Sequence, residues 1–247
     1  MSGRDESFWA GLPLGNGVTL LARDATGLAA FAKPAGVLSH PNGSGEERRA
    51  LLRARYDMAG EFYETPAGRL WLVNRLDSAT SGVMLAASDE TLAATVRAQF
   101  KHRGIRKVYQ ALVFGVPRQA AEVWSDRLAV DKRGGRIRSS IGGSVPAESR
   151  MRVVRTGRGD PPLALLRLEP RTGRSHQLRV QCARRGLPIV GDQTYGDFRR
   201  NREFAKRAGT KRMFLHSLET SFAYEFRGAK HDFAASAPLP PEFEAFL

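Results

Sequence analysis

Thiols are nearly absent from this sequence, since Cys182 is the only cysteine in 247 residues. That excludes an intramolecular disulfide and any multi-cysteine zinc cluster, and it agrees with a reducing compartment. A lone free cysteine ordinarily packs as a small buried hydrophobe. Long apolar runs are missing too: no stretch approaches the roughly 20 apolar residues needed to span a bilayer. The segment Met1–Trp9, with Arg4, Asp5 and Glu6, resembles neither a signal peptide nor an acid-poor transit peptide. A cytoplasmic protein is therefore expected. Acid is scarce relative to base, with 25 Asp+Glu against 39 Lys+Arg and a net charge of +14. Such a surplus suits a polyanion, whose counterions are released when Lys and Arg approach. Nucleic acid and an anionic membrane surface both qualify, and charge alone does not choose between them. The five histidines lack metal-ligand spacing and no His-Glu-x-x-His helix is present, so no metal centre is expected.

What is present reads as one mixed α+β domain with a largely antiparallel sheet, because strand-like and helix-like segments are interleaved and hairpin connections are frequent. Two β-type runs, Val18–Ala22 and Leu28–Ala32, flank a turn at Asp24–Gly27. Glu47–Tyr56 reads as a short helix of good formers, and Gly60–Gly68 as loop. Leu70–Val73 and Gly82–Ala87 are apolar enough for buried strands. Ser88 or Asp89 can cap a helix running to about His102, with Leu92, Val96 and Phe100 on one face. Lys107–Phe114 alternates as a strand does, placing Lys107, Tyr109 and Ala111 on one side. Ala129–Ser144 reads as a basic hairpin or loop, and strands resume at Glu148–Thr156 and Leu163–Leu168. Ser175 can cap a helix to about Arg185. A very basic helix follows at Phe198–Ala208, and Phe214–Phe226 returns to strand.

Three segments could carry chemistry. Asn74–Gly82 is a dense polar turn between two apolar strands, though Asp, Ser and Thr also favour turns for purely local reasons. In Arg171–Arg179 a glycine turn feeds a helix start rich in arginine, which suits an anion but also describes a capped surface helix. Lys107 and Tyr109 share a strand face, where tyrosine is ordinarily a core residue with its hydroxyl at the rim.

Taken in order, these segments resemble the RluA-like pseudouridine synthases. The resemblance runs through Lys33–Gly36 with His40 and Pro41, Arg75-Leu76-Asp77 with Thr80-Ser81-Gly82, and Lys107, Tyr109 and Ala111. It continues through Thr172-Gly173-Arg174, His176-Gln177, Arg179-Val180, Pro188–Asp192, Tyr195-Gly196 and Leu215-His216, and ends near Pro238–Pro240. About residues 18 to 241 are covered. The resemblance implies a pseudouridine synthase fold, an antiparallel mixed sheet with flanking helices and loops around a central cleft. It also implies a catalytic domain over 18–247 after an N-terminal extension of 17 residues, too short for the RNA-binding module that many relatives carry.

The implied activity is isomerisation of specific uridines in rRNA or tRNA, at a stem-loop, by a monomer with no cofactor, metal or membrane. Breaking the bond from ribose to the base nitrogen, turning the uracil over and rejoining it through carbon changes no oxidation state. The family's essential carboxylate corresponds to Asp77, acting as nucleophile or as base. The resemblance makes Arg179 its charge-assisted partner, which would hold it ionised against desolvation, and has Leu178 line the pocket. Tyr109 corresponds to the tyrosine that stacks on the detached uracil and assists proton removal. Arg75 would fill the space left by the flipped base, although a plain phosphate contact is its competing role. Lys107 would support the active-site strand, and Arg174 and His176 would meet the RNA.

Departures from the family pattern are Asn74 and Gln181, each where histidine is usual, and Ser175 where threonine is common. Altered contacts around the site or with RNA are expected from the first two. Basic clusters at Arg48–Arg55, Lys101–Lys107, Lys132–Arg138, Arg184-Arg185 and Arg199–Arg212 are candidates for RNA affinity, about half of them ordinary solvated faces. Two other functions compete: a non-catalytic RNA-binding or ribosome-assembly factor that retains the fold, and a nucleoside-bond hydrolase, which commonly needs a second carboxylate.

Overall fold

A computed structural model describes residues 6–102, 104–133 and 136–247. Arg4, Asp5, Arg103 and the basic side chains of Lys132, Arg133 and Arg136, on which expectations were placed, lie outside the described parts. The chain divides into two compact units, one comprising 1–105 with 217–238 and the other 106–216 with 239–247.

The first unit opens with a short helix, α1 (Glu6–Ala10), whose Phe8 and Trp9 are buried. Strands β1 (Thr19–Arg23) and β2 (Leu28–Lys33) follow, then β3 (Arg55–Asp57), β4 (Phe62–Thr65), β5 (Gly68–Leu72) and β6 (Ser81–Ala87). They pair antiparallel in the order β3, β4, β5, β6, β2, β1. Every residue of β6 is buried. Alternation along β2 and β6 sends Leu28, Ala30, Val83 and Leu85 into one apolar cluster and Ala29, Phe31, Met84 and Ala86 into another, so both faces of this sheet are covered. Helix α2 (Glu90–Lys101) covers the first cluster with Leu92, Ala93 and Val96, and its N-cap is Asp89, whose carboxylate accepts the Leu92 N–H at 2.9 Å. The N-terminal residues Phe8, Trp9 and Leu12 pack into the second.

The second unit holds β7 (Arg106–Phe114), β8 (Ala121–Arg133), β9 (Arg136–Ile141), β10 (Val145–Gly157) and β11 (Leu163–Pro170). These pair antiparallel in the order β7, β11, β10, β8, β9. Helices α3 (Gln177–Arg184) and α4 (Phe198–Ala208) follow. Strand β12 (Leu215–Phe226) starts in this unit and continues in the first, where it pairs with β13 (Ala229–Ser236). The α+β class and the antiparallel sheet are as expected.

Three local expectations give way. No helix spans Glu47–Tyr56: only Glu47–Arg49 makes a helical turn, and strand β3 begins at Arg55. Leu51 and Leu52 are fully buried there, and the Leu51 N–H donates to the Leu38 carbonyl at 2.8 Å, so non-local pairing outweighs good helix propensity. Gly60–Gly68 is not a loop but carries β4, because Tyr63 buries its ring and pairs with Leu70. Ser175 does not cap α3. The N-cap is His176, which has a left-handed backbone (φ 55°) and makes no capping bond with its side chain.

Candidate active site

The turn that carries Asp77 is fixed from both sides by the β2–β3 segment. Ser39 donates its hydroxyl to the Leu76 carbonyl at 2.7 Å and accepts the Leu76 N–H at 3.0 Å, while its own carbonyl accepts the Tyr63 hydroxyl at 2.8 Å. One residue beyond Asp77, the Ser78 carbonyl accepts the Gly36 N–H at 2.7 Å and the Lys33 Nζ at 3.1 Å. Lys33 is almost wholly buried, and its ammonium also donates to the Val37 and Pro34 carbonyls at 2.7 and 3.1 Å. An ammonium has three N–H donors, and a buried one needs all of them met. A carbonyl partner for each is present here. Leu76 is buried as an anchor, Asp77 is half-buried, and Arg75 and Ser78 are exposed. The polar spacing around Asp77 thus has a mechanical origin, with backbone pinned at 76 and 78 and the carboxylate between.

Near the same turn, the His40 and Tyr56 rings stack at 4.7 Å with planes 8° apart. Burial, assisted by Glu61, pushes the Tyr56 phenol up to about 12, against the opposing positive charges of Arg75 and Arg97. Arg75 is therefore close enough to act on Tyr56 electrostatically. Asn74 points inward to structure: its Oδ1 accepts the Leu85 N–H at 2.7 Å and fastens the turn to β6. Of the two alternatives expected of it, an altered contact around the site or one with RNA, this bond is of the first kind.

In the second unit the guanidinium of Arg179 is clamped. Its Nε and Nη2 donate to the two carboxylate oxygens of Asp192, both at 2.8 Å, in the parallel fork geometry that arginine makes with carboxylates. Asp192 is 1% exposed. Burial alone would raise its pKa, but Arg179 and the N–H groups of Tyr195 and Thr194 more than offset this and hold the carboxyl below its ordinary value. The Tyr195 ring lies under the Arg179 guanidinium at 5.1 Å, and its hydroxyl accepts the Ser139 N–H at 2.8 Å and bonds His176 Nδ1 at 2.8 Å. Arg179 therefore leaves α3 in a direction set by Asp192 and Tyr195. Neither residue was given a role from sequence, although both lie in the segments Pro188–Asp192 and Tyr195-Gly196 that carry the resemblance. The available signal was an acid directly after an apolar run in a chain poor in acids.

Tyr109 is half-buried on β7, opposite Leu168 of β11, and Lys107 lies two residues earlier on the same face. Lys107 Nζ approaches the turn before α3 so closely that a Cβ on Gly173 would be 3.6 Å away. Burial brings its pKa down to about 8. Leu178 is buried, Arg174 is exposed with its Nε donating to the Pro146 carbonyl at 3.2 Å, and His176 is half-buried against Tyr195. Gln181 is wholly buried: its Nε2 donates to Asp126 at 2.9 Å and to the Ala147 carbonyl at 3.2 Å, and its Oε1 accepts the Ser149 hydroxyl at 2.8 Å. It bolts α3 to β8 and β10. Of the two alternatives expected at this departure, these internal bonds are again contacts around the site rather than with RNA.

The family model described as RNA pseudouridylate synthase matches residues 27–184, which include the Asp77 turn, Tyr109 and Arg179. The chain belongs to this family. Among similar family members, the ribosomal large subunit pseudouridine synthase C of Vibrio vulnificus is 30% identical over 217 residues, 88% of this chain and 64% of the relative. The tRNA pseudouridine synthase C of Yersinia pestis is 32% identical over 202 residues, covering 77% of this chain and 75% of the relative. This pseudouridylate synthase family member thus spans somewhat under two thirds of the length of the Vibrio relative. Among solved structures, human RNA pseudouridylate synthase domain containing 1 superposes with a TM-score of 0.69 at 25% identity, over 98% of this chain and 89% of that one.

Proposed function

We propose that the protein isomerises uridine to pseudouridine within ribosomal or transfer RNA, with Asp77 as the essential carboxylate. The observation that carries the reading is the Asp77 turn itself: in a chain of this family, an acid is held by backbone pinned on both sides, at Leu76 by Ser39 and at Ser78 by Lys33. Family membership alone would leave the chemistry open, since folds host many functions. A rigidly presented carboxylate is what attack on, or deprotonation of, a ribose carbon requires.

In this reaction the bond from C1′ to N1 breaks, the uracil turns over, C1′ bonds to C5, the proton on C5 leaves to solvent, and N1 takes up a proton in its place, so that the product is an isomer. Tyr109 offers a half-buried ring for the detached uracil, and Arg179 supplies positive charge at a fixed position. Arg75, exposed beside the Asp77 turn, suits the space vacated by a flipped base. Lys107, Leu178, Arg174 and His176 complete the reading as supporting and RNA-facing residues.

RNA tritiated at C5 of uracil tests it. Wild type is expected to release tritium, and Asp77→Asn to release it at least about 10²–10⁴-fold more slowly, the range lost with a positioned acid or base. Free uracil in place of retained pseudouridine would indicate hydrolysis. RNA binding without any product, across ribosomal and transfer RNAs, would indicate a non-catalytic factor.

A further inference from the structure

Helix α4 is amphipathic in an unusual way. Its inner face is made by Asn201, Phe204 and Ala208. Phe204 packs edge-on to Phe114, Phe214 and Phe246, and the Asn201 carboxamide accepts the Gly191 N–H at 2.7 Å and donates to the Asp192 carbonyl at 2.9 Å. Its outer stripe is Phe198, Arg202 and Lys206, spaced by four and so stacked along one side. That stripe forms a wall of a cavity of about 660 Å³, with Lys211 and Arg212 also lining it and Gly191 contributing backbone.

The charges around this cavity are unbalanced. Arg212 pairs with Glu242 at 2.5 Å, but Arg202, Lys206 and Lys211 are exposed and make no ion pair among the described residues. Phe198 is 52% exposed at the head of the stripe, on a helix with five basic residues. An aromatic ring in line with unpaired cations offers a π-face to a base and N–H donors to phosphates, the combination by which single strands are held. The volume lies within the range of small-ligand sites and accommodates a nucleotide.

We propose that the α4 cavity binds a single-stranded stretch of RNA flanking the target uridine, one base stacking on Phe198 and the adjoining phosphates meeting Arg202, Lys206 and Lys211. The proposal rests on RNA being the partner, and it assigns to the protein a second RNA contact besides the Asp77 turn.

Filter binding of a stem-loop RNA with a single-stranded flank, over a series of salt concentrations, is the test. The exposed triple variant R202A/K206A/K211A is compared with a control of equal charge loss, R118A/R150A/R152A. Affinity is expected to fall at least tenfold in the α4 variant alone. The slope of log affinity against log salt should become shallower by about 2, three contacts at roughly 0.7 each for a single strand. Phe198→Ala should cost about tenfold more than Phe198→Tyr, which keeps the ring. Equal losses in the two triple variants, or an α4 variant that binds with wild-type affinity and slope, overturns the proposal. Binding is read without chemistry, so failure of tritium release from wild type would sink the isomerase reading and leave this result standing by itself.

Discussion

Arg179 and Asp192 illustrate how a buried ion pair constrains a residue without guaranteeing stability. Withdrawing both charges from water costs several kcal/mol, which is offset only because the fork geometry is bidentate and the Asp192 oxygens also accept the Thr194 and Tyr195 N–H groups at 2.8 and 3.0 Å. Removing one partner leaves the other charged and buried. Asp192→Asn is therefore expected to destabilise the protein by about 3–5 kcal/mol at pH 7 in urea unfolding. The Asp192 pKa is depressed by folding, so its contribution is fully present above the unfolded value and is lost as pH falls through the folded one. The gap between variant and wild type should accordingly close on acidification below about pH 4; a gap independent of pH would assign the loss to packing. Lys107 gives a slope of the same sign in a higher pH window, here because burial disfavours its charged form. Its folded pKa of about 8 lies below the ordinary 10.5, so between these values the unfolded chain holds a proton that the folded one lacks, and stability rises with pH. Lys107→Met should remove that rise between pH 8 and 10, measured as the difference from wild type so that the tyrosines cancel. Identical pH slopes in the two proteins would show that burial does not perturb this amine.

At the scale of elements, the sequence was most readable where local signals and burial agree. Asp89 capping α2, the apolar run of the fully buried β6 and the basic α4 needed only neighbouring residues to specify them, and each forms where its pattern places it. Glu47–Tyr56 failed because its helix formers compete with hydrogen bonds to Leu38 and Pro13 that no local window contains. Gly82 shows the reverse, a motif residue whose necessity only the fold explains. Its φ is +115°, and a Cβ there would sit 2.1 Å from the Ser217 carbonyl oxygen, a backbone atom that cannot swing aside. Gly82→Ala must displace β6 or the start of β12, and a loss of at least about 3 kcal/mol is expected, read as a lowered unfolding midpoint or insoluble expression. An alanine variant as stable as wild type would mean that these backbones are not in such close approach.

Across the whole molecule, the net charge of +14 is not spread evenly in its uses. Arg184 and Arg185 both reach Asp126, Arg185 also covers the Trp124 ring at 4.7 Å, and Arg49 and Arg55 pair with Glu46 and Glu64. The clusters at Arg48–Arg55 and Arg184-Arg185 are thus partly spent on internal and surface pairs, whereas Arg202, Lys206 and Lys211 are exposed and make no ion pair among the described residues. If six cations in all neutralise RNA phosphates, log affinity should fall against log salt with a slope of about −4 to −5. A slope near −1 would mean that the charge surplus serves something other than RNA.

By itself the sequence determined the α+β class, the likeness to the pseudouridine synthases, the polar turn around Asp77 and the cationic stripe of α4, because each is written in residues adjacent in the chain or repeated at a fixed period. The fold alone decided that Arg179 is gripped by Asp192 and Tyr195, that Gln181 is a bolt between α3 and two strands, and that Lys33 gives its charge to three carbonyls. Those assignments turn on which partners remain for a polar group once water is excluded. That is settled by packing between segments far apart in the chain, and no local pattern encodes it.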